Sequence, residues 1–180
     1  MPDQTIKSPD GEFLRLIAKM KTTPHSDNIA KPISTDSETI EVLISDSRLI
    51  SSGSQFGHVA IEINDQVYGR AHSGWDQDCL KSYLYRQQVK MNRDTVGFVL
   101  RASPEQKKQL LTEIKQRKQR NTAYDLGTDS CSSNAAEVLG GIGIIAHDSR
   151  WSVIVTPTDM AVALKRSKRL IKINSYPKSK

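Results

Sequence analysis

Cysteine is scarce in this chain, and the two present, Cys79 and Cys131, form no repeating framework. That excludes a disulfide-stapled scaffold, and a structural zinc site would need histidines to supplement so few thiols. Long apolar runs are missing too. None approaches the ~20 apolar residues of a membrane span, and Met1-Pro2-Asp3-Gln4-Thr5-Ile6-Lys7 lacks the apolar core of a signal peptide. The chain is therefore expected to be made in the cytoplasm, and to act elsewhere only if another machine moves it. It holds no Gly-rich phosphate loop, no H-E-x-x-H, no paired zinc spacing and no internal repeat. No metal and no cofactor are expected.

What is present reads as a globular α+β protein. At 180 residues, with 37% hydrophobic and 26% charged residues, the chain has the length of one domain with a real core and a polar surface. We read it as a single unit: an N-terminal helix and loop over 1–38, a core over 39–165 and a basic tail over 166–180. The net charge of +6 comes partly from Lys107 to Arg120 and partly from Lys165 to Lys180. Such a balance favours polyanions such as nucleic acid, anionic lipid or wall polymer without choosing among them, and no specific nucleic-acid recognition is expected.

In chain order, Asp10 caps a short helix through Glu12 to Met20, with Phe13, Leu16, Ile17 and Met20 on one face. Residues 22 to 38 read as a loop, with His25 as a solvated loop residue. Thr39 to Ser45 is a β-rich run and a central strand. Further on, Trp75 is read as a core aromatic in preference to a lid, and the segment from there to Arg93 is mixed. Thr95 to Arg101 is another strand. Ser103-Pro104-Glu105-Gln106 opens a helix, with serine at the cap, proline at the first position and glutamine three after the cap. Leu110, Leu111 and Ile114 anchor that helix, and its lysines and arginines form a solvated face. Trp151 to Val155 is extended, Thr156-Pro157-Thr158-Asp159 starts a further helix, and the tail is ordered around Leu170 to Ile173 and frayed after it.

Two stretches carry candidate chemistry. Gly57-His58-Val59-Ala60-Ile61-Glu62-Ile63 alternates, with Val59, Ile61 and Ile63 on one side and His58, Ala60 and Glu62 on the other. Asn64-Asp65-Gln66 turns the chain, and Val67 to His72 returns as the second strand of a hairpin. A three-residue loop would pair Ile63 with Val67 and set His58 opposite His72. A loop one residue shorter or longer would set it opposite Ala71 or Ser73. The second stretch is Tyr124 to Leu139, a polar turn running into an amphipathic helix with Cys131 at the joint. Asp129 or Ser130 can cap it, Ala135, Ala136, Val138 and Leu139 give its apolar face, and Gly140-Gly141 ends it. A thiol there sits at the positive end of the helix dipole, beside free N–H groups that favour the thiolate and can hold an oxyanion. Cys79, without a comparable cap-and-helix context, is read as structural.

The order of these parts, histidine hairpin first and cysteine helix later, resembles the circularly permuted branch of the NlpC-type papain-like cysteine peptidases. The residues that carry the resemblance are Gly57 to Ile63 with Val67-Tyr68, and Tyr124-Asp125-Leu126 with Asp129 to Ala135, about a fifth of the chain. The resemblance implies an α+β, papain-like fold in which an antiparallel sheet packs against the cysteine helix. It implies a hydrolase or acyltransferase, most often acting on amide bonds of peptidoglycan peptides. In that scheme Cys131 is the nucleophile, its backbone N–H part of the oxyanion hole, and His58 the general base and acid. The third, orienting member varies in the family. His72 is the first choice from the hairpin register, while Glu62 suits the cleft wall better, and Tyr124 lies beside the site or in the core. A basic, signal-less chain of this kind also looks like antibacterial effectors injected into a rival cell by a contact-dependent secretion machine, which implies a carrier and an immunity protein as partners. Two other readings compete: a lipid acyltransferase or phospholipase of the same fold, and a non-enzymatic polyanion-binding module using the 107–120 helix and the tail.

Overall fold

The computed structural model describes residues 5–7, 13–15, 38–46, 57–125, 129–147 and 154–179. The chain divides into two compact units, Met1–Ser37 and Glu38–Lys180. In the first, β1 (Thr5–Lys7) pairs antiparallel with β2 (Phe13–Arg15). The helix expected over 12–20 is thus replaced by strand at its start. A cross-strand ladder satisfies these backbone groups at once, whereas a short isolated helix must first overcome its nucleation barrier. The rest of that expectation, and the loop with His25, lie outside the described residues.

The second unit is α+β, built on a six-stranded, fully antiparallel sheet. Its strands are β3 (Thr39–Ser45), β4 (His58–Ile63), β5 (Gln66–Ala71), β6 (Gly74–Cys79), β7 (Thr95–Arg101) and β8 (Leu170–Tyr176), in the order β6-β5-β4-β3-β7-β8. The helices are α1 (Leu80–Tyr85), which continues into a π-helical turn at Arg86–Lys90, then α2 (Pro104–Arg120), α3 (Cys131–Gly140) and α4 (Pro157–Lys165). Among the described residues no helix is long and apolar enough to cross a membrane.

Strand alternation sorts the core into two. Ile40, Val42, Ile44, Val59, Ile61, Ile63, Phe98 and Leu100 form one cluster with Leu110 and Ile114 of α2, Ala135, Val138 and Leu139 of α3, and Met160 and Leu164 of α4. Trp75 joins that cluster, as the sequence leads one to expect. On the other face Leu43, Ala60 and Val67 pack with Tyr83 of α1. Burying each large side chain contributes roughly 1.5–3 kcal/mol, so the three-helix face carries most of the cohesion.

The β4–β5 hairpin differs from the three-residue loop favoured above. Its turn is Asn64-Asp65 alone, at φ 53° and 66°, so Ile63 pairs with Gln66 and Ala60 with Gly69. Asn and Asp tolerate the left-handed region, and a two-residue turn with both φ values positive matches the twist of the strands. The shorter loop brings Ala71 into line with His58, and places His72 in the turn before β6.

All three long helices begin on reciprocal caps: Ser103 with Gln106, Ser130 with Ser133, and Thr156 with Asp159. The mixed segment after Trp75 proves to be β6 followed by α1. The basic tail is no frayed end. β8 pairs with β7 along its length, and the chain beyond it is tied down where the Lys178 N–H donates to Asp94 Oδ1 at 2.9 Å. Gly97 on β7 makes this possible, because the Glu41 carboxylate lies over it and accepts from Tyr176 Oη and Asn174 Nδ2, both at 2.9 Å.

Candidate active site

The chain leading to Cys131 is held by a buried arginine that periodicity could not single out. Arg70, 2% exposed, lies on the α3 side of β5. It donates to the carbonyls of Ala71 and Thr122, each at 2.5 Å, and meets Asp129 Oδ1 at 3.4 Å. Asp129 does not cap the helix. It accepts from Thr122 Oγ1 and from Asn134 Nδ2, the latter at 2.6 Å. Burial pushes the Asp129 carboxyl up, but the bonds from Thr122, Asn134 and Arg70 outweigh it and hold it below the usual range. Ser130 is the cap, accepting from the Ser133 N–H at 3.1 Å while Ser133 Oγ accepts from the Ser130 N–H at 2.8 Å.

Cys131 therefore opens α3 as a buried residue, 7% exposed, and its Sγ is 3.7 Å from Ser132 Oγ. Tyr124 stands beside it. Burial raises the Tyr124 phenol, the neighbouring Cys131 thiolate charge raises it further, and a hydrogen bond from the Cys131 backbone N–H pulls the other way. The ring of Tyr124 meets His72 at 4.0 Å between centroids, and the Arg70 guanidinium lies 5.5 Å from the ring centre. His72 thus meets Tyr124, one residue out of the register that would set it against His58.

His58 is the first residue of β4 and follows Gly57, whose φ of 79° suits glycine. Its imidazole lies on the Ala60 face. A Cβ built on Gly69 would sit 3.0 Å from His58 Nε2, 3.3 Å from Asp76 Oδ1 and 3.4 Å from Ala60 Cβ. The glycine thus leaves the space in which imidazole and carboxylate approach each other. The Tyr83 ring lies beside the imidazole, 6.2 Å between centroids and tilted by 35°. Desolvation first, then the positive charges of Arg93 and Arg86, lower His58 to about 4, so the ring is neutral at pH 7. Burial raises Asp76 despite Arg86, whose Nη2 lies 3.5 Å from its Oδ2.

The sheet thus carries α3 against the Val59–Arg70 side and the imidazole on the Ala60–Gly69 side, both at the end where β4 begins. The Tyr83 ring lies 6.2 Å from the His58 ring between centroids, and the positive charge of Arg93 lowers the imidazole. Glu62 is elsewhere. It lies four residues along β4, about 13 Å by strand rise, where it accepts from the Asp65 N–H at 2.5 Å. Burial first, and the Glu41 charge with it, raise the Glu62 carboxyl.

Asp76, Tyr83, Arg70 and Arg93 were not legible as site residues, because each is brought in by a neighbouring strand or helix and none breaks a local pattern. Cys79 precedes α1, and its thiol donates to Ser82 Oγ at 3.2 Å. Hydrogen bonding to the Ser82 side chain, then to its backbone N–H, holds this thiol below the usual range.

No protein-family model and no curated protein matches the sequence. Among solved structures, that of a Type VI secretion system effector, TseH, matches with a TM-score of 0.58 at 14% identity, covering 79% of this chain and 100% of that one. At that identity the likeness is one of fold.

Proposed function

We propose that this chain is a cysteine hydrolase of the papain-like, circularly permuted NlpC type, cleaving amide bonds in peptidoglycan peptides as an antibacterial secretion effector. The observation that carries this reading is the siting of Cys131, heading a doubly capped helix at the sheet end where His58 begins β4. The α+β fold shared with TseH, itself a Type VI secretion system effector, supports the effector role. Delivery into a rival cell would call for a secretion carrier and, in the producing cell, an immunity protein.

In this mechanism the His58 ring takes the Cys131 proton, the sulfur attacks the amide carbon, and the protonated imidazole then delivers its proton to the leaving amine. Water hydrolyses the thioester by the reverse sequence. With Nε2 turned toward Gly69 and Asp76, Nδ1 would be the nitrogen that takes the thiol proton. Asp76 then replaces His72 as our choice for the orienting group, because its oxygen shares the Gly69 space with the imidazole. The Cys131 N–H, paired with the Tyr124 phenol oxygen here, would have to turn to the oxyanion for it to contribute.

The test is digestion of purified peptidoglycan sacculi by the purified chain, with released fragments identified by mass spectrometry. Cys131→Ala is expected to abolish release while keeping the parent's circular dichroism. Parent-like release by Cys131→Ala would sink the nucleophile assignment, and release of fatty acid from vesicles with intact sacculi would move the substrate to lipid.

A further inference from the structure

The sheet ends on one side in β8, which pairs with β7 and, among the described residues, with no other strand. Its outer row of N–H and C=O groups is a template for a further strand. The register with β7 shifts at Val99/Leu100, where Ile171 is the extra residue, and from there Lys172 to Tyr176 pairs regularly with Val99 to Thr95. A lysine and a bulge keep an edge from pairing indiscriminately. Yet Ile171 and Ile173 stay 43% and 47% exposed. Ile173 stands opposite Phe98, on the three-helix face of the sheet, and Lys172 stands on the other face.

Charge decides what can settle on this edge. Residues 165–179 hold Lys165, Arg166, Lys168, Arg169, Lys172 and Lys178 and no acidic residue. Lys165, Arg166, Lys168 and Lys172 are exposed, and among the described residues none of the four forms an ion pair. A second copy paired β8 to β8 would set these cations against their own kind, so the edge rejects itself. A nucleic acid would answer the charge but would use neither the open backbone row nor the exposed isoleucines. An acidic strand answers all three.

We propose that β8 is a docking edge for a partner protein that adds an extended strand of alternating acidic and apolar side chains to it. Backbone hydrogen bonds to the edge supply the pairing, the acidic side chains lie on the Lys172 face, and the apolar ones lie against Ile173. With β8, β7 and β3 between them, the added strand and the strand of His58 stand about 19 Å apart by strand spacing. The role is therefore independent of Cys131, and neither its success nor its failure bears on the nucleophile.

The test uses the full chain and a fluorescein-labelled heptapeptide of alternating glutamate and isoleucine. One control peptide has lysine in place of glutamate, and another has glycine in place of isoleucine at unchanged charge. Anisotropy is expected to show saturable binding of the first peptide alone, weakening as sodium chloride is raised. Hydrogen exchange should slow within Leu170–Tyr176 on binding. Lys172→Glu should weaken binding roughly threefold to thirtyfold, the effect of turning an opposite-charge cross-strand pair into a like-charge one. Ile173→Thr keeps the charge and the branched side chain and should weaken it about twofold to fivefold. The Cys131 alkylation rate should be the same with and without peptide. Absence of binding to the parent overturns the proposal, as do parent-like affinity in both variants and protection confined to residues outside β8. Equal binding of the glycine peptide would reduce the edge to a polyanion patch, and a parent that sediments as a dimer lost in Lys172→Glu would assign it to a second copy; either result overturns the proposal.

Discussion

At the scale of single residues, the informative position is a glycine. Gly69 has no side chain because His58 Nε2 and Asp76 Oδ1 occupy the space a methyl would fill, at 3.0 and 3.3 Å. Gly69→Ala should therefore displace the imidazole without straining the strand. On the mechanism proposed above, kcat should fall roughly tenfold to a hundredfold, the scale associated with displacing a reacting group by about an ångström, at nearly unchanged thermal stability. A parent-like kcat would mean that the ring has freedom to move. His58 also links folding to pH. An unfolded histidine takes up its proton near pH 6.5, while the folded one does so at about 4. Between these values the unfolded chain binds more protons, so native stability should rise with pH from about 4 to about 6.5 and level off above. Urea midpoints at about pH 5 and 7.5 check this. The His58→Asn variant should show a smaller difference than the parent, and equal differences would remove His58 as the cause.

At the scale of elements, α3 depends on its first turn. Ser130 satisfies the Ser133 N–H, Ser133 returns the bond, and Asp129 fastens the preceding chain to Arg70 on β5. Ser130→Ala removes one half of the reciprocal cap and should cost about 1 kcal/mol in chemical denaturation. Its effect on the Cys131 alkylation rate should exceed that of Thr156→Ala, which removes the equivalent cap of α4 far from the thiol along the chain. Equal alkylation rates in the two variants would argue that the α3 cap serves folding alone. Arg70 fastens the chain leading to Cys131 to β5, since the Thr122 carbonyl and the Asp129 carboxylate converge on its guanidinium.

At the scale of the whole molecule, the C-terminal strand closes one side of the sheet. Tyr176 and Asn174 reach across Gly97 to the Glu41 carboxylate on the central strand, tying together residues more than 130 positions apart in sequence. Tyr176→Phe leaves that buried carboxylate with one donor fewer, and should destabilise the unit by roughly 1–3 kcal/mol in urea denaturation. A neutral result would mean that Asn174 alone satisfies Glu41. The basic residues of the tail are thereby carried on a strand and its flanks, which narrows their use for a polyanion to whatever surface β8 presents.

Local chemistry decided much of this protein before any tertiary contact. The runs Thr39–Ser45 and Thr95–Arg101, the three helix caps at Ser103, Ser130 and Thr156, and the siting of Cys131 at the head of α3 follow from alternation, propensity and capping. These act over a few residues and are written in consecutive positions. Only the tertiary structure decided the rest. A turn of two residues rather than three set Ala71, not His72, opposite His58. Strand β6 brought Asp76 to the imidazole, helix α1 set Tyr83 beside it, and β5 placed Arg70 under the cysteine turn. Such partners meet because separate segments share a sheet end. Long-range packing sets that proximity, and it leaves no mark on the residues immediately before or after each one.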